Sequence, residues 1–328
     1  MAVVLAVEGF LLFDHRASPA PAPPPAPAAP APAATHSRLL SPFTGERVSS
    51  LRRVLAVKIG NTVAERPATG LAGADLVYMI PVEGGLSRIL AVFSSHYPAV
   101  VGNVRSARED DLQLLRQFGR PAFAFSGATP RLLPVVEHAR IVDLYAGRVS
   151  GYFRSFDRIA PYNLYAHTRR LLAQAPRASA AHGIGFRFGP RPPGGRAARS
   201  VSVSYQAASF RFTWSAAKRR WLVWMDGARA TSVGGAQLGA PTVVIQHTIV
   251  RTSQFKEYGV RPPYAETVGS GRAVVLRNGR AYRARWSRPT ADGGTTFTTR
   301  AGAPMTFARG PVWVILTARG GNWARAGL

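Results

Sequence analysis

With 328 residues, 46% of them hydrophobic and 10% aromatic, the chain is long and apolar enough to bury a sizeable core, which excludes a largely disordered protein. Its 42 basic residues against 16 acidic ones give a formal net charge of +26. That balance fits polyanionic surroundings, and equally the arginine-rich coding of a GC-rich genome, since only Lys58, Lys218 and Lys256 are lysines. The sequence has no cysteine, so disulfides, thiolate metal sites, a cysteine nucleophile and a lipid-modified cysteine are excluded within it.

In chain order, residues 1–16 open with the apolar stretch "MAVVLAVEGFLLF", and residues 17–50 begin as a Pro/Ala-rich linker. Thirteen apolar residues fall short of the roughly 20 that span a bilayer. An apolar start followed by an extended polyproline spacer reads as the remnant of a signal or anchor segment, against the alternative of a frayed apolar tail. From Arg53 the pattern changes. "VLAVKIGN", "ADLVYMIPV" and "SRILAVFSS" read as short buried strands, "EDDLQLLRQFG" as a helix with acids at its start, and "PAFAFSG" as a further strand. "TPRLLPVVEHA" and Asn163 to Ala175 read as helices. Residues 51–176 are therefore expected to form a mixed α/β domain.

Residues 177–199 have the Gly, Pro and Arg density of a connector, where proteolysis is expected to leave two folded fragments. Beyond them the signals are nearly all β, with Asn278-Gly279 between two strand-like runs marking a type I′ hairpin. The expected fold class is α+β, a mixed α/β N-terminal domain followed by a β-rich C-terminal domain over residues 200–328. Trp214, Trp221, Trp224, Trp286 and Trp313 fit core positions better than sugar-stacking ones, because they alternate with polar residues.

Nucleotide-binding glycine loops, H-E-x-x-H and G-x-S-x-G are all missing, and the seven histidines lack metal-ligand spacing. Nucleic-acid-binding modules are missing too, so no specific nucleic-acid partner is expected. What remains is a concentration of charge. Nine of the sixteen acids lie between residues 65 and 157, and none lies from Arg158 to Met225. Arginines and acids crowd the strand ends around Gly84–Gly85 and Gly102. Two readings fit: a site where arginine forks receive an anion, or structural ion pairs that lock loops.

The segments "ERPATGLAGADLVY", "VEGGLSR", "GNVRSAR", "SGATP" and "RIAPYNLY", together with "VGSGRAVVLRNGRAYRARWSRPT" and "MTFARGPVWVIL", closely resemble the YerB-like family of bacterial lipoproteins over roughly Arg53 to Gly320. Its pattern matches at Asn61, Arg66, Pro67, Asp75, Glu83, Arg88, Arg105, Arg108, Arg158 and Asn163. Met79, Asn103 and Tyr162 depart from it, standing where the family has Glu, Pro and His. The resemblance implies an extracytoplasmic, envelope-associated protein of two domains and carries no assigned reaction.

The expected ligand-binding set is Asn61, Asp75, Glu83, Arg88, Arg105, Arg108, Asp110, Arg158 and Asn163, with no metal ligands and no cofactor. The arginines are expected to converge with Glu83 and Asp75 on one cleft. Two function classes follow. One is a non-enzymatic protein, membrane-associated through its N-terminus, that binds an anionic glycopolymer, a peptidoglycan fragment or a lipid head group. The other is a phosphotransferase or hydrolase acting on a phosphorylated envelope precursor with a divalent cation. For this second class, the order of "AD" and "VRSAR" is distantly similar to the LytR–CpsA–Psr phosphotransferases.

Overall fold

The computed structural model describes residues 39–257 and 259–319, together with the backbone of 323–326. The N-terminal anchor segment and most of the Pro/Ala-rich linker lie outside the described residues. Strands dominate throughout, and the helices are short.

The first half supplies β1 (Leu55–Gly60), β2 (Leu76–Pro81), β3 (Ser87–Phe93), β4 (Val100–Gly102), β5 (Ala122–Phe125), β6 (Val142–Tyr145), β7 (Tyr152–Arg154) and β8 (Leu164–His167). Its helices are α1 (Glu109–Leu115), α2 (Leu133–Glu137) and α3 (Thr168–Ala173). β1 lies between β3, antiparallel to it, and β5, parallel to it; β6 follows β5 in parallel. Alternate residues of β1 and β2 enter two separate cores. Leu55, Val57, Ile59, Val77 and Met79 pack on one face, and Ala56, Leu76, Tyr78 and Ile80 on the other. Burial on both faces is why these strands read as continuous apolar runs.

The two halves of the chain share this sheet. The C-terminal strand Val312–Ala318 runs parallel to β2 on one side and parallel to Thr242–Thr248 on the other. The hairpin Gly269–Arg277 and Arg280–Arg288 and the strand Thr296–Thr299 continue the sheet outward. Asn278 and Gly279 turn that hairpin with φ of 48° and 68°, the conformation that the type I′ signal requires. A smaller sheet built on Ser200–Ser204, Ser209–Ser215 and Arg220–Met225 packs its apolar face into the core that holds Val57 and Met79. Trp221, Trp286 and Trp313 are buried in the two cores. Trp224 is partly exposed and lies under the guanidinium of Arg211, 4.5 Å from the ring centre.

One local expectation is corrected. The helix expected from Asn163 to Ala175 is a strand, β8, followed by α3, because Leu164–His167 is taken up between β4 and β7. β-pairing across the fold overrides the local helical pattern there. The connector of residues 177–199 is fastened to the C-terminal half. Arg277 donates to the Pro190 and Gly189 carbonyls, and Arg196–Ala197 pairs with Arg280–Ala281.

The shared sheet sets an expected result for limited proteolysis. Trypsin nicking at exposed Arg196 or Arg199 is expected to leave both fragments associated through gel filtration, separating only in denaturant. Removing Val312–Ala318 would strip β2 of one of its two neighbours and expose an apolar edge. Two fragments that part and stay folded under native conditions would show that the shared strand contributes little.

Among the described residues, no helix is long and apolar enough to cross a membrane.

Candidate functional site

β1 ends at Gly60–Asn61, opposite the start of β3, where Arg88 pairs in register with Gly60 on one side and Ile80 on the other. Glu83 sits in the turn between β2 and β3, in which Gly84 and Gly85 have φ of 68° and 69°. A Cβ on Gly85 would fall 2.5 Å from Gln206, so that turn needs glycine for its conformation and for close approach. The segment Val104–Ala107 runs past the ends of β1 and β5, held by Arg105 N–H to the Lys58 carbonyl and by Ser126 N–H to the Arg105 carbonyl.

Three arginines meet there. Arg108 donates to both Glu83 carboxylate oxygens at 3.0 and 2.5 Å, and pairs with Glu257 at 2.9 Å. Arg88 pairs with the same Glu83 at 3.2 Å and donates to the Ser106 carbonyl. Arg105 pairs with Glu65 at 3.2 Å, donates to the Pro161 carbonyl and lies over the Tyr162 ring. Arg158 ties the loop of residues 155–162 to the same place by donating to the carbonyls of Glu65 and Pro67. Asn61 donates to Ser87 Oγ and accepts from Arg66, which also pairs with Asp226. Asn163 accepts from Arg154 and donates to the Ser155 carbonyl, fixing the base of that loop.

Electrostatically the cluster is balanced, with Arg88, Arg105 and Arg108 facing Glu65, Glu83 and Glu257. Burial pushes the Glu83 carboxyl up, but hydrogen bonds and charge from Arg108 outweigh it and hold Glu83 at about 2. Burial, with the like charges of Arg108 and Arg105, brings Arg88 down to about 10. Burial raises Glu257 against the pull of Arg108, which it shares with the better-bonded Glu83. Unpaired, these guanidinium groups would repel; the carboxylates are what let them stay together.

The expected convergence holds for Glu83, Arg88, Arg105 and Arg108, with Asn61, Arg158 and Asn163 supporting the surrounding loops. It fails for Asp75. That residue precedes β2 at the opposite end of the β2–β3 pair, where its Oδ2 accepts from Ser94 N–H at 2.6 Å and Ser95 N–H at 2.8 Å. Its role is to close the far end of the hairpin. Asp110 lies behind the cluster on α1, buried against the C-terminal half, with the Ala265 N–H 3.4 Å from Oδ2 and no partner for Oδ1 among the described residues. Burial and the adjacent Asp111 push it up to about 7, against the pull of Lys58.

Glu109, Asp110 and Gln113 seat α1 on the C-terminal half. Glu109 accepts from Ser253 and Gln254, and Gln113 from Thr267 and Val268. Asp111 accepts the Arg108 N–H at the start of α1 and pairs with Lys58 at 2.6 Å, both side chains fully buried. Sequence reading missed Glu65, Lys58, Asp111 and Glu257. A lysine inside the apolar run "VLAVKIGN" was an available signal for a buried partner, whereas nothing local marked Glu257.

Ser106, which follows Arg105 in the chain, has its Oγ 3.4 Å from Ser126 Oγ, and both serines are partly exposed. Several buried polar atoms nearby have no partner among the described residues, including Asn103 Oδ1 and Thr62 Oγ1.

Comparisons with known proteins agree with the architecture. The profile described as "Protein of unknown function (DUF3048) N-terminal domain" matches residues 43–181, and that of the corresponding C-terminal domain matches 201–314. "Putative lipoprotein YerB" of Bacillus subtilis (strain 168) is 44% identical over 78 residues, which spans 23% of this chain and 24% of that protein. The crystal structure of YerB from Bacillus subtilis matches with a TM-score of 0.76 at 20% identity, covering 88% of this chain and all of the other, a likeness of fold. The chain thus belongs to the YerB-like, two-part family of unknown function whose N- and C-terminal domains these profiles describe.

Proposed function

We propose that this protein is a non-enzymatic, extracytoplasmic binding protein of the cell envelope. Its ligand is an anionic group, the phosphate or carboxylate of a glycopolymer, a peptidoglycan fragment or a lipid head group. The observation that carries this reading is the rim of the charge cluster. Arg105 has the most open side chain of the three arginines, 14% exposed against 9% for Arg88 and 4% for Arg108, and the next residue, Ser106, has its hydroxyl 3.4 Å from that of Ser126. Guanidinium and hydroxyl groups are donors suited to an anion.

Binding is favoured over phosphoryl transfer because the carboxylates are already engaged. Glu65, Glu83 and Glu257 each face a guanidinium, so a divalent cation there would have to displace an arginine. The envelope location is supported by the net charge of +26, by the apolar start with its Pro/Ala spacer, and by a relative named as a lipoprotein.

The test is titration of the whole protein with a soluble poly(glycerol phosphate) at low and high salt. Arg105→Ala is expected to weaken binding by about tenfold or more, and the Ser106→Ala/Ser126→Ala pair by several-fold, with wild-type affinity falling as salt rises. Arg105→Ala also leaves Glu65 without its guanidinium, so its melting temperature falls by a few degrees, whereas the serine pair leaves it unchanged. Affinities within about twofold of wild type for both variants would overturn the reading.

A further inference from the structure

The connector segment builds a second feature far from the charge cluster in sequence. Residues 190–195 lie over the hairpin of the C-terminal half and are fastened there. Arg277 Nη1 donates to the Pro190 carbonyl at 3.3 Å, and Arg280 donates to the Gly194 and Gly195 carbonyls at 3.1 and 2.7 Å. Gly195 has φ of 72°, and a Cβ there would meet the Tyr282 ring at 2.6 Å, so the segment rests directly on that ring. Between this wall and the turn that follows Thr299 runs a cleft of about 630 Å³. That size falls in the range of roughly 300–1,000 Å³ used for small-molecule binding.

The chemistry of the cleft is two-part. Its surface is mostly apolar, built from residues such as Pro192, Val274, Ala281 and Pro304. Its charged members are Arg196, Arg283 and Arg300, all exposed, and no Asp or Glu lines it. Among the described residues none of these three arginines forms an ion pair. The contrast with the first site is direct: there three arginines are neutralised by three glutamates, whereas here three arginines border an apolar trough with no compensating carboxylate.

We infer that this cleft binds a single-chain anionic amphiphile, a phosphate or carboxylate head on an alkyl tail, taken up as a monomer. The tail covers the proline, alanine and valine surface and releases its water. The head accepts from the arginine forks at the rim. A purely polar polyanion would leave the apolar floor wet, and an uncharged apolar molecule would leave the arginines unused. The inference is independent of the rim at Arg105, which lies in the other half of the chain.

Isothermal titration of the full-length protein separates these possibilities with three probes: dodecyl phosphate below its micelle concentration, dodecyl maltoside for the tail alone, and inorganic phosphate for the head alone. Dodecyl phosphate is expected to bind at least about tenfold more tightly than either of the others. The Arg283→Ala/Arg300→Ala variant, altered only at exposed and unpaired side chains, is expected to lose about tenfold or more of that affinity without a change in melting temperature. Arg105→Ala is expected to bind dodecyl phosphate as wild type does, so failure here is distinguishable from failure at the first site. Equal binding of the three probes, or an unchanged affinity in the double-arginine variant, overturns the inference. Binding to phosphatidylglycerol vesicles without binding of monomeric dodecyl phosphate also overturns it, and assigns the arginines to a membrane surface instead.

Discussion

Lys58→Met is expected to lower the stability of the folded protein by about 3–5 kcal/mol. Lys58 and Asp111 are both fully buried, and their 2.6 Å contact supplies the only full countercharge that directly touches Asp111 among the described residues. Removing the ammonium leaves a carboxylate without a countercharge beside Asp110, in a medium that screens poorly. The Asp111 carboxylate keeps one bond, from the Arg108 N–H at 2.7 Å, which starts α1. A second substitution tests the mechanism. Lys58→Met/Asp111→Asn removes both charges while keeping a carbonyl oxygen for the Arg108 N–H, and is expected to recover most of the loss. Urea midpoints of the three proteins give the answer. A single variant within about 1 kcal/mol of wild type would mean that the pair is solvated in solution.

Asp110→Asn is expected to stabilise the protein most at pH 8 and progressively less as pH falls towards about 4, where the two proteins converge. Burial and the neighbouring Asp111 raise the Asp110 carboxyl from the ordinary carboxylate range to about 7 in the fold. For an acid shifted upward, the native state holds the proton more tightly than the unfolded chain does. Its favourable contribution is therefore complete below about pH 4 and is lost as pH rises through about 7. Glu83 works in the opposite sense: held at about 2, it contributes above its ordinary range and loses that contribution as pH falls. Wild-type stability should thus decline from pH 5 to pH 8, and Asp110→Asn should flatten the decline by an amount on the order of 1–3 kcal/mol at pH 8. Asparagine keeps an acceptor near the Ala265 N–H. Melting curves from pH 5 to 8 that run parallel for the two proteins would show Asp110 already ionised in the fold.

Asp110 and Asp111 belong to a set of acids whose local pattern speaks only of a helix end. The acids at the start of "EDDLQLLRQFG" suited a helix N-terminus, and the helix is there, capped by Asp111. Their further use is tertiary: Glu109 and Asp110 bond to the C-terminal half, and Asp111 bonds to β1. A residue's suitability for a helix end is a property of a few neighbouring positions. Its partner across the fold is not.

The first site divides along the same line. Glu83 and Arg88 belong to one tight β-turn and its following strand, and Arg105 and Arg108 to one short loop, so motif spacing brought each pair close. Their meeting depended on β1 lying between β3 and β5. Asp75 shows the limit. It sits in the same run of motifs as Glu83, yet the six-residue strand between them carries it to the other end of the sheet.

The sequence by itself determined the buried strands, the Asn278-Gly279 hairpin, the family and the cluster of arginines with glycines at strand ends. Each is written in periodicity, turn chemistry or motif over a few consecutive residues. Only the tertiary structure decided that Glu65 and Glu257 neutralise those arginines, that Val312–Ala318 joins the two halves into one sheet, and that the connector walls an acid-free cleft. Those outcomes depend on pairing between segments distant in the chain, where charge balance and burial are set by which surfaces meet.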